Sequence, residues 1–69
     1  MNIIECAEQL RRRGFKAYCW KPGEHTSEPD IVAEKGGRLY NVYLEKDPSR
    51  EAAEEEFAKV HGAQVLYLA

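Results

Sequence analysis

The chain has 69 residues, of which 43% are hydrophobic and 32% charged, and its formal net charge is −2. This composition is typical of a globular protein, and the length allows only one core, so we expect a single domain over residues 1–69. The negative net charge gives no general attraction to phosphate backbones, and a core this small favours a homodimer.

The N-terminus lacks a basic segment followed by an apolar run, and no apolar stretch is long enough to span a bilayer. Cys6 and Cys19 fall at apolar-periodic positions without CxxC spacing, which predicts two buried thiols. These features predict a cytoplasmic protein with no membrane partner.

The first predicted element is a helix with a signal at each end. Asn2 can cap it, and Glu5 stands where the side chain returns the hydrogen bond in a capping box. The helix should end near Arg13, because Gly14 suits the left-handed conformation that follows a helix. Its apolar stripe at helical spacing consists of Ile3, Ala7 and Leu10.

Three strands should follow around a loop. Residues 15–20 alternate with apolar or aromatic groups on both sides, which predicts a first strand covered on both faces. The breaker-rich run 21–29 predicts a surface loop. A Gly-Gly pair then joins strands over 31–34 and 38–46 in a hairpin.

A second helix should begin with Asp47 as N-cap and Pro48 as its first residue, and should end at Gly62. A last strand over 63–68 has to run parallel to the third strand because a helix connects them. We therefore predict an α/β domain of order αβββαβ, with a mixed four-stranded sheet flanked by two helices. The second helix should bury Ala53, Phe57 and Val60, and should leave Glu51, Glu54, Glu55 and Lys59 solvated.

Four segments of the chain carry a resemblance that spans nearly its whole length: 10–15, 29–33, 36–40 and 62–67. In this order of elements, with Pro29-Asp30 opening the second strand, they resemble the PD-(D/E)XK nuclease superfamily. Within that superfamily the chain resembles Holliday-junction-resolvase-like or VRR-type nucleases. The resemblance implies a restriction-endonuclease-like core. It also implies an acidic residue on strand two and an acid-x-lysine on strand three, which hold magnesium and activate a water that attacks a phosphodiester.

The resemblance assigns Asp30 to the strand-two acid and Glu5 or Glu8 to a helix carboxylate. On strand three, alternation puts Tyr43 and Glu45 where the acid and the lysine should stand. Without the lysine nothing orients or deprotonates the water, so the resemblance implies impaired catalysis. At most a weak magnesium site remains, with Asp30, Glu45, Glu5 and Glu8 as its ligands.

Two alternatives stay open at this site. A bulge in strand three would bring Asp30, Glu45 and Lys46 together as the catalytic residues of a magnesium-dependent DNA endonuclease. Asp30 could instead end a loop and only accept backbone hydrogen bonds. The candidate functions are a degenerate nuclease-fold domain that binds nucleic acid or protein, a junction-resolvase-like endonuclease, and a structural or regulatory protein-binding domain.

Basic and aromatic residues suggest where DNA would bind. Arg11, Arg12, Arg13 and Lys21 are the candidate contacts, although a helix dipole alone also explains arginines in a last turn. Strand aromatics usually lie in a core or an interface, but they can also stack on bases, and Tyr43 is the main candidate for that role. The full aromatic set is Tyr18, Trp20, Tyr40, Tyr43 and Tyr67.

Overall fold

Six elements follow one another in the computed structural model, which describes residues 2–20 and 27–68. They are α1 (Ile3–Arg12), β1 (Lys16–Cys19), β2 (Ile31–Lys35), β3 (Arg38–Tyr43), α2 (Glu51–Val60) and β4 (Ala63–Tyr67). The strands form one sheet in the order β1-β2-β3-β4, in which only β3 and β4 run parallel. The predicted α/β class, element order and mixed four-stranded sheet are confirmed. Neither helix in the described residues is long and apolar enough to cross a membrane.

Helix α1 carries both of the predicted end signals. The Asn2 side chain accepts a hydrogen bond from the Glu5 amide at 2.9 Å and donates to the Glu5 carboxylate at 3.5 Å. At the other end Gly14 has a φ of 91°, and the amides of Gly14 and its successor donate to the carbonyls of Arg11 and Leu10. This is the Schellman arrangement, and it turns the chain directly into β1.

Helix α1 covers one face of the sheet, which we call the first face. The core beneath it consists of Cys6, Ala7, Leu10, Ala17, Ile31, Ala33 and Val42. Around this core pack the partly buried residues Ile3, Phe15, Tyr40, Leu44 and Leu66. The predicted apolar stripe of α1 therefore lies in the core, and Cys6 is buried as expected.

Helix α2 packs against β4 on the second face, and the residues that it buries differ from the prediction. Ala53 is exposed and Val60 is 73% exposed, whereas Glu54 and Ala58 are buried. Glu55 and Lys59 are solvated as predicted. The predicted buried side is wrong because Glu54 was treated as a solvated charge. In the structure the Tyr67 hydroxyl donates to the Glu54 carboxylate at 3.0 Å, and a buried polar group is tolerated when it has such a partner.

The second face of β1 is open, contrary to the prediction that both faces are covered. Tyr18 is 63% exposed and Trp20 is 47% exposed. Cys19 is also exposed, so the expectation of a second buried thiol is wrong. Tyr18 and Trp20 are open because α2 lies over the far side of the second face, at β4. Cys19 alternates with them and lies on the first face with Ala17, where the core under α1 does not extend to it.

Helix α2 begins at Glu51, later than the predicted start after Asp47. The Asp47 carboxylate accepts hydrogen bonds from the Ser49 amide at 3.0 Å and the Ser49 hydroxyl at 2.7 Å. The Arg50 amide donates to the Asp47 carbonyl at 2.9 Å. These bonds form a separate turn, so Asp47 caps that turn rather than the helix.

Candidate functional site

Asp30 is held by backbone groups at the end of the hairpin opposite its tight turn. Its carboxylate Oδ2 accepts a hydrogen bond from the Leu44 amide at 3.0 Å. Its own amide donates to the Val42 carbonyl at 3.0 Å, and its carbonyl accepts from the Trp20 amide at 2.9 Å. Of the two roles considered for Asp30, these contacts match the acceptor of backbone hydrogen bonds at the end of a loop.

Tyr43 stands where the resemblance expects the strand-three acid, but it is buried, with 3% of its surface exposed. Its hydroxyl donates to the Ser27 carbonyl at 2.5 Å, and its ring centroid lies 5.7 Å from that of Tyr67. Burial raises the pKa of Tyr43 to about 12; the nearby Glu54 carboxylate adds to this rise, and a hydrogen bond with Asn41 opposes it. A buried neutral phenol offers no surface for stacking on a base.

Strand β3 ends at Tyr43, so Glu45 and Lys46 lie beyond it rather than on it. The predicted strand end at residue 46 is wrong because the antiparallel partner β2 extends no further than the pair Ile31–Val42. Glu45 is exposed. Lys46 Nζ lies 3.3 Å from a Glu51 carboxylate oxygen and 5.6 Å from the centroid of the Tyr67 ring.

The donors that the resemblance implies for magnesium come from three parts of the chain. Glu5 and Glu8 are exposed on α1, Asp30 is bound to the Leu44 amide, and Glu45 follows the end of β3. Within the described ranges, no group of three or more His, Cys, Asp or Glu side chains is placed to hold a metal ion.

Basic side chains collect at one end of the domain, which we call the basic end. The hairpin turn lies there, together with the C-terminus of α1, because β1 begins opposite Glu34. The C-terminus of α2 lies there too, because β4 begins opposite Leu39. The basic end holds seven of the ten Lys and Arg residues of the protein: Arg11, Arg12, Arg13, Lys16, Lys35, Arg38 and Lys59.

Two of these seven cations have partners within the domain. Arg11 Nη2 donates to the Ala17 carbonyl at 2.6 Å. Lys35 Nζ donates to the Arg13 carbonyl at 2.7 Å and lies 5.0 Å from the centroid of the Phe15 ring. The other five side chains are exposed and form no ion pair or hydrogen bond in the part of the chain that is described: Arg12, Arg13, Lys16, Arg38 and Lys59.

The opposite end, which we call the acidic end, is where β3 finishes and α2 starts. Lys46 pairs with Glu51 there, and Arg50 Nε lies 3.4 Å from an Asp47 carboxylate oxygen. Both of these cations therefore have a carboxylate beside them. The acidic residues described at this end include Asp30, Glu45, Asp47, Glu51 and Glu54.

The predicted DNA contacts are only partly gathered at the basic end. Arg12 and Arg13 are exposed there, whereas the Arg11 side chain donates a hydrogen bond to the Ala17 carbonyl at the edge of the sheet. Lys21 lies outside the described residues. The sequence analysis missed Lys16, Arg38 and Lys59, since only the strand order brings these distant positions together.

No protein-family model matches the chain, and comparisons with curated proteins and with solved structures gave no match. Geometry and charge are therefore the grounds on which a function can be proposed.

Proposed function

We propose that the protein is a nucleic-acid-binding domain that contacts phosphates through its basic end and does not cleave them. The observation that carries this proposal is the set of five exposed cations that have no partner among the described residues. Cations of this kind bind a phosphate backbone because their contacts release its condensed counterions. They are solvated in the free protein, so binding breaks no ion pair of the fold.

The negative net charge does not oppose binding at this end. Screening at physiological salt limits interactions between exposed charges to about 8 Å. The six residues of β3, which run from the basic end to the acidic end, span about 17 Å. A phosphate at the basic end is therefore largely screened from Asp47 and Glu51 at the other end.

The architecture that we propose is a restriction-endonuclease-like core whose strand-three motif is degenerate. The order of elements and the position of Asp30 at the start of β2 support this core. The absence of cleavage is supported by the hydrogen bond between Asp30 and the Leu44 amide and by the burial of Tyr43. The alternative, an endonuclease that uses Asp30, Glu45 and Lys46, gains no support from the pairing of Lys46 with Glu51.

Arg38→Ala and Arg13→Ala test the proposal by fluorescence anisotropy with labelled oligonucleotides over a range of salt concentrations. The logarithm of the binding constant should fall with the logarithm of salt by about 0.7 to 0.9 per phosphate contact. Each variant should weaken binding and reduce that slope by about one contact. Arg50→Ala is the matched control, since the same change at the acidic end removes only a pair with Asp47 and should leave affinity unchanged.

Three results would count against the proposal. Equal losses in Arg38→Ala and Arg50→Ala would mean that the basic end is not the binding surface. Absence of binding at low salt would leave a protein-interaction domain as the better candidate. Cleavage of duplex, single-stranded, flap or junction DNA with magnesium or manganese, abolished by Asp30→Ala, would establish the endonuclease alternative instead.

A further inference from the structure

Strand β1 presents two aromatic rings to solvent on the second face of the sheet. Tyr18 is 63% exposed and Trp20 is 47% exposed. The Trp20 amide donates to the Asp30 carbonyl at 2.9 Å, so the pairing of β1 with β2 continues to Trp20 and both rings share one face. Among the described elements no helix covers this part of the sheet, since α2 packs against β4.

The spacing of the two rings favours unpaired bases. Alternate residues of a strand lie about 6.6 Å apart, which is about twice the 3.4 Å rise between neighbouring bases in a nucleic acid strand. Two bases that stack on the rings must therefore be separated from each other. Duplex bases are already stacked and paired, whereas single strands can splay their bases onto aromatic side chains.

One cation of the basic end lies beside the rings. Lys16 lies two residues before Tyr18 on the same face of β1 and belongs to the basic end. Two carboxylates are cross-strand neighbours on this face: Glu34 opposite Lys16, with no ion pair between them, and Asp30 opposite Trp20, which accepts a hydrogen bond from the Leu44 amide. The basic end and the aromatic rings thus form one continuous surface on this strand. An apolar protein partner would complement only the rings, whereas a single strand complements both the rings and the lysine.

We infer that Lys16, Tyr18 and Trp20 form a track for single-stranded nucleic acid, in which Lys16 contacts a phosphate and the two rings stack on successive unpaired bases. This inference rests on the proposed function and names the class of nucleic acid that it serves. Stacking on rings tolerates any base, so the track binds with little sequence preference.

Trp20 is the only tryptophan of the protein, so its intrinsic fluorescence reports directly on the track. Titration with unlabelled oligothymidylate should quench it with the midpoint that anisotropy gives for binding. A hairpin duplex with the same number of phosphates should bind more weakly and should not quench it. Trp20→Ala and Tyr18→Ala should each lower the affinity for the single strand by about 5- to 150-fold.

Two controls separate stacking from general effects of substitution. Tyr18→Phe keeps the ring and should retain the affinity of the wild type. Ile4→Ala changes another exposed apolar residue, which is 61% exposed on α1, and should have no effect. Circular dichroism verifies that each variant is folded. If Trp20→Ala does not fold, wild-type quenching and the two Tyr18 variants decide the question.

The two proposals fail in different ways. If the protein binds neither single strand nor duplex, the proposed function and the track are both overturned. Equal binding of both without quenching, weakened by Arg38→Ala but not by Trp20→Ala, overturns only the track. A change in Trp20 fluorescence with protein concentration alone, without oligonucleotide, identifies the face as a contact between copies of the chain and also overturns the track.

Discussion

The acidic end and the basic end use their charges differently. Apart from the exposed Glu45, the acidic end has charges that are satisfied within the chain: Asp30 by a backbone amide, Glu51 by Lys46, and Asp47 by Ser49 and Arg50. At the basic end five cations have no such partner among the described residues. A paired charge supports the fold, whereas unpaired like charges repel one another and remain available to a partner. The paired charges of the acidic end can be explained by their contribution to the stability of the fold. The unpaired cations of the basic end cannot be explained in this way.

The two ends also differ in how deeply their charged side chains are buried. Glu54 is a buried carboxylate at the acidic end, with 2% of its surface exposed, and the Tyr67 hydroxyl is its hydrogen-bond donor. The cations of the basic end are all exposed. Substitutions should therefore cost stability at the acidic end and binding at the basic end.

The largest expected effect on stability is that of Tyr67→Phe. This substitution removes the donor and leaves the buried Glu54 carboxylate without that hydrogen bond. An unsatisfied buried polar group costs roughly 1–3 kcal/mol, so we expect a loss of about 2 kcal/mol in the free energy of unfolding. Urea denaturation followed by circular dichroism measures it.

Tyr18→Phe is the matched control for Tyr67→Phe, because it removes the hydroxyl of an exposed tyrosine on the same sheet. It should change the free energy of unfolding by less than about 0.5 kcal/mol. Equal stability of the two variants would contradict the role assigned to the contact between Tyr67 and Glu54.

High pH should also lower the free energy of unfolding, through two buried or partly buried tyrosines at the acidic end. Burial raises the pKa of Tyr43 from 10.0 to about 12, and burial together with Glu54 also raises the pKa of Tyr67. Unfolded tyrosines lose their protons at a lower pH than these folded ones. Their contribution to stability is therefore complete below about pH 10 and is lost as the pH rises toward about 12. Urea unfolding at several pH values measures the decline.

Tyr43→Phe sharpens this test, because it removes one of the two late-titrating phenols. The variant should lose less stability than the wild type between about pH 10 and about pH 12, whatever its stability at neutral pH. Identical slopes in the two proteins would show that Tyr43 does not carry the effect.

Most of the fold follows from local signals in the sequence. Asn2 and Gly14 mark the ends of α1 by hydrogen bonds within a few residues. Gly36 and Gly37 have φ values of 60° and 77°, which suit the two-residue turn of a hairpin. The buried side of α2 could not be predicted in this way. Its Glu54 finds a partner only after the chain has crossed over to β4.

The candidate sites were harder to predict for the same reason. The resemblance pointed to Asp30, whose contact with the Leu44 amide depends on where β3 ends. The basic end collects Lys16, Arg38 and Lys59 from three separate elements, so no sequence window contains it. The run of three arginines was visible in the sequence, yet its members have different roles in the structure.

The smallest effect that we expect on stability is a difference between substitutions of two neighbouring arginines of the basic end, Arg11 and Arg12. Strand β1 is an edge of the sheet, and the bond between the Trp20 amide and Asp30 implies that the Ala17 carbonyl faces outward. Arg11 donates to that carbonyl at 2.6 Å. Arg11→Ala should therefore cost about 1 kcal/mol in urea denaturation, whereas Arg12→Ala should change stability by less than about 0.5 kcal/mol.

Arg11→Ala should lose more stability than Arg12→Ala, but we expect the reverse order for the loss of affinity for nucleic acid. Arg12 is exposed and has no partner in the described part of the chain, so Arg12→Ala should weaken nucleic acid binding more than Arg11→Ala does. Arg11 also covers part of an open strand edge, and such edges pair readily with other strands. Arg11→Ala should accordingly self-associate more than Arg12→Ala in sedimentation velocity experiments at high concentration. If the two variants agree in stability, affinity and association, the contact of Arg11 with the edge contributes nothing.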